Sequence, residues 1–258
     1  MSAWRRHLRR TARPRIPDRP RPVLSRGPSR PAGRERGLRL GPITPAPDCS
    51  ACPRLVEFRE ANRRAYPGWH HAPVPSFGDL DARILVVGLA PGLKGANRTG
   101  RPFTGDYAGD LLYATLATLG LAHGSYAASA DDGFTLVGCR VTNAARCVPP
   151  ANKPLPAEFT ACRPFLAAEI AAMPALKGIL SLGRESHDQV LSTLELRKAA
   201  FPFGHGAVHH LPSGLVLTDS YHCSRYNTNT RRLTESMFVT AVTALLDAVG
   251  EIIGISAG

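Results

Sequence analysis

Cys49-Ser-Ala-Cys52 is a pair of thiols two residues apart, and Cys147 and Cys162 form a second pair separated by fourteen residues. Thiolates at the closer spacing can grip one metal centre without strain, and the step recurs in zinc and iron–sulfur sites. A zinc ribbon presents two tight knuckles. Here Pro149 and Pro150 open the second pair, which suits a bulkier cluster. Cys139 falls in an apolar strand and Cys223 in a loop, so neither joins the set. A chain of 258 residues with 43% apolar content builds its core without disulfide staples, so these cysteines point to metal or to chemistry. Of the nine histidines, His70, His71, His205, His209 and His210 read as surface or packing residues. Lys94, Lys153, Lys177 and Lys198 lie in polar loops or exposed turns, a poor setting for the desolvated amine that Schiff-base chemistry needs.

The elements that must position these residues alternate along the chain. Short runs rich in Val, Ile, Leu and Thr predict strands at 84–87, 136–142, 179–182 and 215–218, and helical patterns fill 107–119, 156–173, 184–194 and 230–249. That order predicts an α/β fold: a small, mostly parallel four-stranded central sheet covered on both faces, with ligands at the carboxyl ends of its strands. Neither a Gly-x-Gly-x-x-Gly nor a Walker loop follows any strand, which argues against a nucleotide-binding enzyme.

Charge divides the chain. The net charge is +12, but residues 1–40 hold thirteen arginines against Asp18 and Glu35, so the other 218 residues carry +1. Bulk charge therefore gives no sign that the folded body binds nucleic acid. Residues 1–47 read as a disordered Arg/Pro-rich basic tail: a solvated leader, an over-extended start, a transit peptide, or an arm that holds DNA through phosphate contacts. Residues 48–258 read as the folded domain. No apolar run reaches the length of a membrane span, and the expectation is a cytoplasmic monomer.

Four motifs stand in order: Gly88-Leu89-Ala90-Pro91-Gly92, Asn97 through Asp106, Arg146 through Lys153, and Ser220-Tyr221-His222-Cys223-Ser224-Arg225 with Asn227 to Thr230. Together they resemble the type-5 uracil-DNA glycosylases, iron–sulfur members of the uracil-DNA glycosylase superfamily, from about Cys49 to about Val249. The resemblance implies a three-layer α/β/α fold, a 4Fe-4S cluster on Cys49, Cys52, Cys147 and Cys162, and hydrolytic removal of deaminated bases from double- or single-stranded DNA. A catalytically silent iron–sulfur or zinc DNA-binding protein is the alternative. Cys223 departs from the pattern, which commonly has an apolar residue there, and the basic tail has no counterpart in it.

Such an enzyme must extrude the nucleotide, hold the base and break the bond between sugar and base. Phe103 offers a flat apolar face for stacking, worth on the order of 1 to 3 kcal/mol per base; an ordinary core Phe is the other reading. The turn Gly88 to Gly92 lets backbone approach a ligand. Bond breaking develops positive charge on the sugar and negative charge on the base. The resemblance puts the catalytic carboxylate at Asp106, which is also a natural helix N-cap, since Leu89 and Ala90 can neither activate water nor stabilise a cation. His222 is the donor to the leaving base. The family pattern gives Asn152 a functional role, with Asn143 as its rival for reading the base edge. Arg225 is expected to probe the gap left by the flipped nucleotide or to contact phosphate. A wall of Ala90 and Gly92 leaves room for a purine, so hypoxanthine and xanthine join uracil as expected substrates.

Overall fold

The computed structural model describes residues 43–250; nearly all of the predicted basic tail lies outside the described residues. Helix α1 (Pro53–Ala65) leads into β1 (Ile84–Gly88), a single turn α2 (Ala96–Thr99) and α3 (Tyr107–Thr118). A two-stranded hairpin, β2 (Ala122–His123) and β3 (Thr135–Leu136), precedes β4 (Cys139–Asn143) and α4 (Pro156–Ala171). Then come β5 (Gly178–Leu182), α5 (Arg184–Thr193), β6 (Val208–His210), β7 (Val216–Ser220), α6 (Arg225–Asn229) and α7 (Glu235–Ala248).

The main sheet has the order β4-β1-β5-β7-β6, parallel throughout except where β6 runs antiparallel to β7. It therefore holds five strands, not the expected four. The additional strand, Val208-His209-His210, is three residues long and only partly buried, so its sequence carries no apolar run to announce it. The expected strand 136–142 is also two pieces: Gly138, at φ 59°, turns the chain out of the small hairpin before Cys139 enters the main sheet.

Every residue of β1, β4, β5 and β7 is buried. Side chains alternate between the faces of a strand, and here both faces are covered. Ile84 and Val86 of β1 pack with Leu112, Leu116, Phe238 and Val242 of α3 and α7, whereas Leu85 and Val87 pack with Phe159, Leu166, Val190 and Leu191 of α4 and α5. The outcome is the three-layer α/β/α arrangement. The chain moves from β1 outward to β4 and then crosses over β1 to β5 on its other side, a reversal that opens a crevice beyond the carboxyl ends of the strands. Gly88 sits opposite Asn143 at that end, and Leu182 opposite Ser220.

Candidate active site

A cavity of about 570 Å³ lies at this end of the sheet, and residues from all four sequence motifs line it. Ala90 and Gly92 come from the turn after β1, Phe103 and Asp106 from the loop before α3, Asn143 and Asn152 from the end of β4 and beyond, and His222 and Arg225 from the segment after β7. Gly88 lies just behind. A Cβ there would collide with the Phe103 ring and with Asn143 Oδ1, so glycine is what lets both side chains approach the strand end.

Asp106 takes the capping role considered for it and also lines the cavity. It is the N-cap of α3, where the Gly109 N–H donates to Oδ1 at 3.2 Å, and its other oxygen turns toward Gly92 and Gly95 in the cavity wall. A Cβ at Gly92 would come 2.9 Å from Oδ2. Burial raises the Asp106 carboxyl above the ordinary carboxylate range, with Asp110 adding to the rise and the Gly109 and Ala108 amides opposing it.

His222 lines the same cavity with an imidazole pushed down to about 4 by burial, hence neutral at physiological pH. Neither ring nitrogen has a hydrogen-bond partner among the described residues. Asn227 Nδ2 donates to the His222 carbonyl at 2.8 Å and fixes the backbone that carries the ring. The Phe103 ring lies 6.1 Å from the imidazole, tilted by 30°. Phe103 is 7% exposed, so it belongs to the core and presents its remaining face to the cavity. Asn143 is buried, and its Oδ1 has no hydrogen-bond partner. A buried amide oxygen without a partner costs free energy, and Asn143 also lines the cavity. Asn152 is exposed and aimed by two successive left-handed residues, Ala151 at φ 53° and Asn152 at φ 54°.

Across the mouth, Ser224 caps α6, and the Arg225 guanidinium lies 5.3 Å above the Tyr107 ring. Beside it Tyr226 is 72% exposed. Sequence reasoning passed over Tyr226; its signal is an aromatic in a short polar helix with no apolar partner one turn away. A further cavity of about 350 Å³ shares Leu89 and His222 with the first and contains Arg184 and Arg232, whose guanidinium groups lie over Phe203 and Tyr221.

The four expected cysteines, Cys49, Cys52, Cys147 and Cys162, line one small, nearly closed cavity of about 20 Å³ with Leu55, Val56 and Phe165. Burial pushes Cys52 up to about 11 and Cys147 up to about 12. The Arg59 guanidinium approaches Cys147 Sγ at 3.9 Å, and the Arg146 N–H donates to Cys162 Sγ at 3.3 Å. One zinc ion bound at about 2.3 Å would draw four sulfurs to within about 4 Å of one another. Among the described residues, the only His, Cys, Asp or Glu atoms gathered within 4.8 Å in a set of three or more are those of His187, His209 and Asp219. The positive groups beside the cysteine sulfurs suit anionic thiolates, the form in which cysteine binds metal.

The His187 group has another explanation. His187 Nδ1 and His209 Nε2 meet the two oxygens of Asp219 at 2.7 and 3.3 Å, His187 Nε2 faces the Phe201 carbonyl at 2.9 Å, and the Ser181 hydroxyl donates to Asp219 at 2.7 Å. These hydrogen bonds tie β5, α5, β6 and β7 together three residues before His222.

Comparison with known proteins bears on this site. A family model described as the uracil DNA glycosylase superfamily matches residues 75–246. A type-5 uracil-DNA glycosylase of Thermus thermophilus is 47% identical over 196 residues, covering 74% of this chain and 89% of the relative. Proteins of the same name from Mycobacterium bovis and Pyrobaculum aerophilum are 42% identical over 198 residues and 41% over 191, covering 73% and 72% of this chain and 74% and 83% of those relatives.

Proposed function

The chain belongs to the uracil DNA glycosylase superfamily, and on that premise we propose that it is a monofunctional DNA glycosylase that excises uracil and other deaminated bases to begin base excision repair. The observation that carries this reading is the convergence of Phe103, Asp106, Asn143, Asn152 and His222 on one cavity large enough for a base. The extruded base stacks on Phe103. Asn143 Oδ1 accepts from its edge, and a His222 N–H donates to O2 as charge accumulates there. The bond from C1′ to the base nitrogen breaks with its electron pair going to the base. Asp106 stabilises the positive sugar, and water, oriented by Asp106 and Asn152, delivers its oxygen to C1′ as its proton passes to the Asp106 carboxylate, while the base leaves as the anion held by His222. Among the described residues no lysine lines the cavity, which supports release at the abasic site without strand cleavage.

Ala90, Gly92 and Ala96 make a low wall that leaves room for hypoxanthine or xanthine. Tyr226, by its exposure at the mouth, is suited to fill the gap in the stack, while Arg225, Arg184 and Arg232 are placed to meet phosphates. The basic N-terminal segment adds phosphate attraction. A 4Fe-4S cluster on Cys49, Cys52, Cys147 and Cys162 would supply four iron–thiolate bonds tying the start of α1 to the loop after β4 and to α4. That loop also carries Asn152, so the chain around Cys147 holds a reacting side chain in place.

The test incubates purified protein with labelled oligonucleotides bearing one uracil, hypoxanthine or xanthine, followed by alkali. Abasic sites at uracil, with fewer at hypoxanthine, are expected. Intact strands throughout would overturn the proposal.

A further inference from the structure

The loop that carries Phe103 and Asp106 is held in a conformation it would not adopt alone. Phe103 has φ 50°, the left-handed region that costs a bulky residue energy and persists only where surroundings over-determine it. The tyrosine that braces it lies outside all four sequence motifs. Tyr126, in the connection between β2 and β3, donates its hydroxyl proton to the Phe103 carbonyl at 3.3 Å and accepts from the Gly105 N–H at 3.2 Å. One oxygen thus bridges the two successive peptides that join the stacking residue to Gly105, the residue before Asp106.

The ring that carries this oxygen is itself fixed. Tyr126 packs against Tyr113 and Phe134 at 4.9 and 5.8 Å, and the Arg101 guanidinium lies 5.6 Å from it. Arg101 is locked by two 2.7 Å bonds to Asp132 and by a 2.8 Å bond from its Nε to Thr104 Oγ1. Asp132 in turn accepts from the Ala127 and Phe134 amides, which fixes the backbone on both sides of the turn beside Tyr126.

We infer that Tyr126 is a positioning residue for base excision: its hydroxyl sets the Phe103 ring and the Asp106 carboxylate in register with each other. The inference rests on the glycosylase reading above. Stacking and charge stabilisation act on one nucleotide at once, and misplacement of either by a fraction of an ångström is felt in the rate. Tyr126→Phe removes the bridge and keeps the ring in its aromatic packing.

The experiment is a double-mutant cycle on single-turnover uracil excision at saturating enzyme, using the parent, Tyr126→Phe, Phe103→Leu and the double variant, with thermal midpoints recorded alongside. Tyr126→Phe is expected to slow excision about tenfold while its affinity for abasic-site DNA and its midpoint stay close to the parent's. In the Phe103→Leu background the same change should cost about twofold or less, because the ring it positions is gone. An active parent with an undiminished Tyr126→Phe variant would overturn the inference alone. So would equal fractional losses in both backgrounds, which mark general loosening. A parent that releases no uracil would overturn the glycosylase reading and this inference with it.

Discussion

The two cavities that flank the loop after β4 are built in opposite ways. One, of about 570 Å³, is open and lined by polar groups with free valences: an unpaired Asn143 oxygen, an unpartnered His222 ring and one Asp106 oxygen outside the cap. The other, of about 20 Å³, is smaller and more enclosed, lined mainly by apolar side chains and sulfurs, with Arg59 and the Arg146 N–H directed at two of the sulfurs. Binding and catalysis need unsatisfied groups held rigidly, whereas a staple needs satisfied ones. Residues 143–152 run between the two, with Cys147 in the smaller cavity and Asn143 and Asn152 in the larger one, so on the proposed function the same backbone would serve both duties.

The largest effect that sharpens this contrast is expected from Asp106→Asn. Asparagine caps a helix as well as aspartate does, so the fold and bound iron should persist while single-turnover excision falls about 100- to 1,000-fold. Loss of iron in this variant would show that the cavities are not separable. Cys147→Ser should do the reverse, releasing iron and lowering the thermal midpoint by roughly 10 °C. Iron analysis and scanning calorimetry check it.

Gly92→Tyr comes next. The new ring occupies the purine space and its Cβ presses on Asp106, so hypoxanthine release should be lost before uracil release, which falls about tenfold. Equal loss on both bases would reduce Gly92 to a turn residue.

The smallest effect is one of pH, and its two halves have opposite signs. His222 is depressed from 6.5 to about 4, so its contribution to stability is complete above 6.5 and lost as pH falls toward 4. Asp106 is raised, so the folded state gains stability relative to the unfolded as pH falls through its range, while activity that needs the carboxylate declines. In denaturant titrations His222→Asn should flatten the acid loss of stability, and Asp106→Asn should steepen it. No change in either slope would remove both groups from the buried environments assigned to them.

Much of this was legible in sequence for particular physical reasons. The Cys49–Cys52 step is visible by its spacing and His222 by its place just after a strand pattern, whereas Asp106, well beyond the end of β1 at the start of a helix, is picked out only by the resemblance of its motif. The central strands were readable from burial on both faces, which forces continuous apolar runs. Strand β6 was not, because an edge strand of Val208-His209-His210 gains its identity only by pairing with β7. Tyr126 and Asp132 could not be found either. Their role is a set of contacts across twenty to thirty residues, and nothing local marks a tyrosine whose oxygen bridges two peptides. The unpaired oxygen of Asn143 likewise exists only once Gly88 and Phe103 are packed around it.

The most direct test of the account is a crystal structure of the Asp106→Asn protein bound to a duplex carrying a single uracil opposite guanine. The uracil should lie on Phe103 in the larger cavity, with O2 and an edge N–H within about 3.2 Å of His222 and Asn143 and with the iron–sulfur site filled and remote from the base. A uracil seated in the cavity beside Arg184 and Arg232, or left stacked in the duplex, would contradict it.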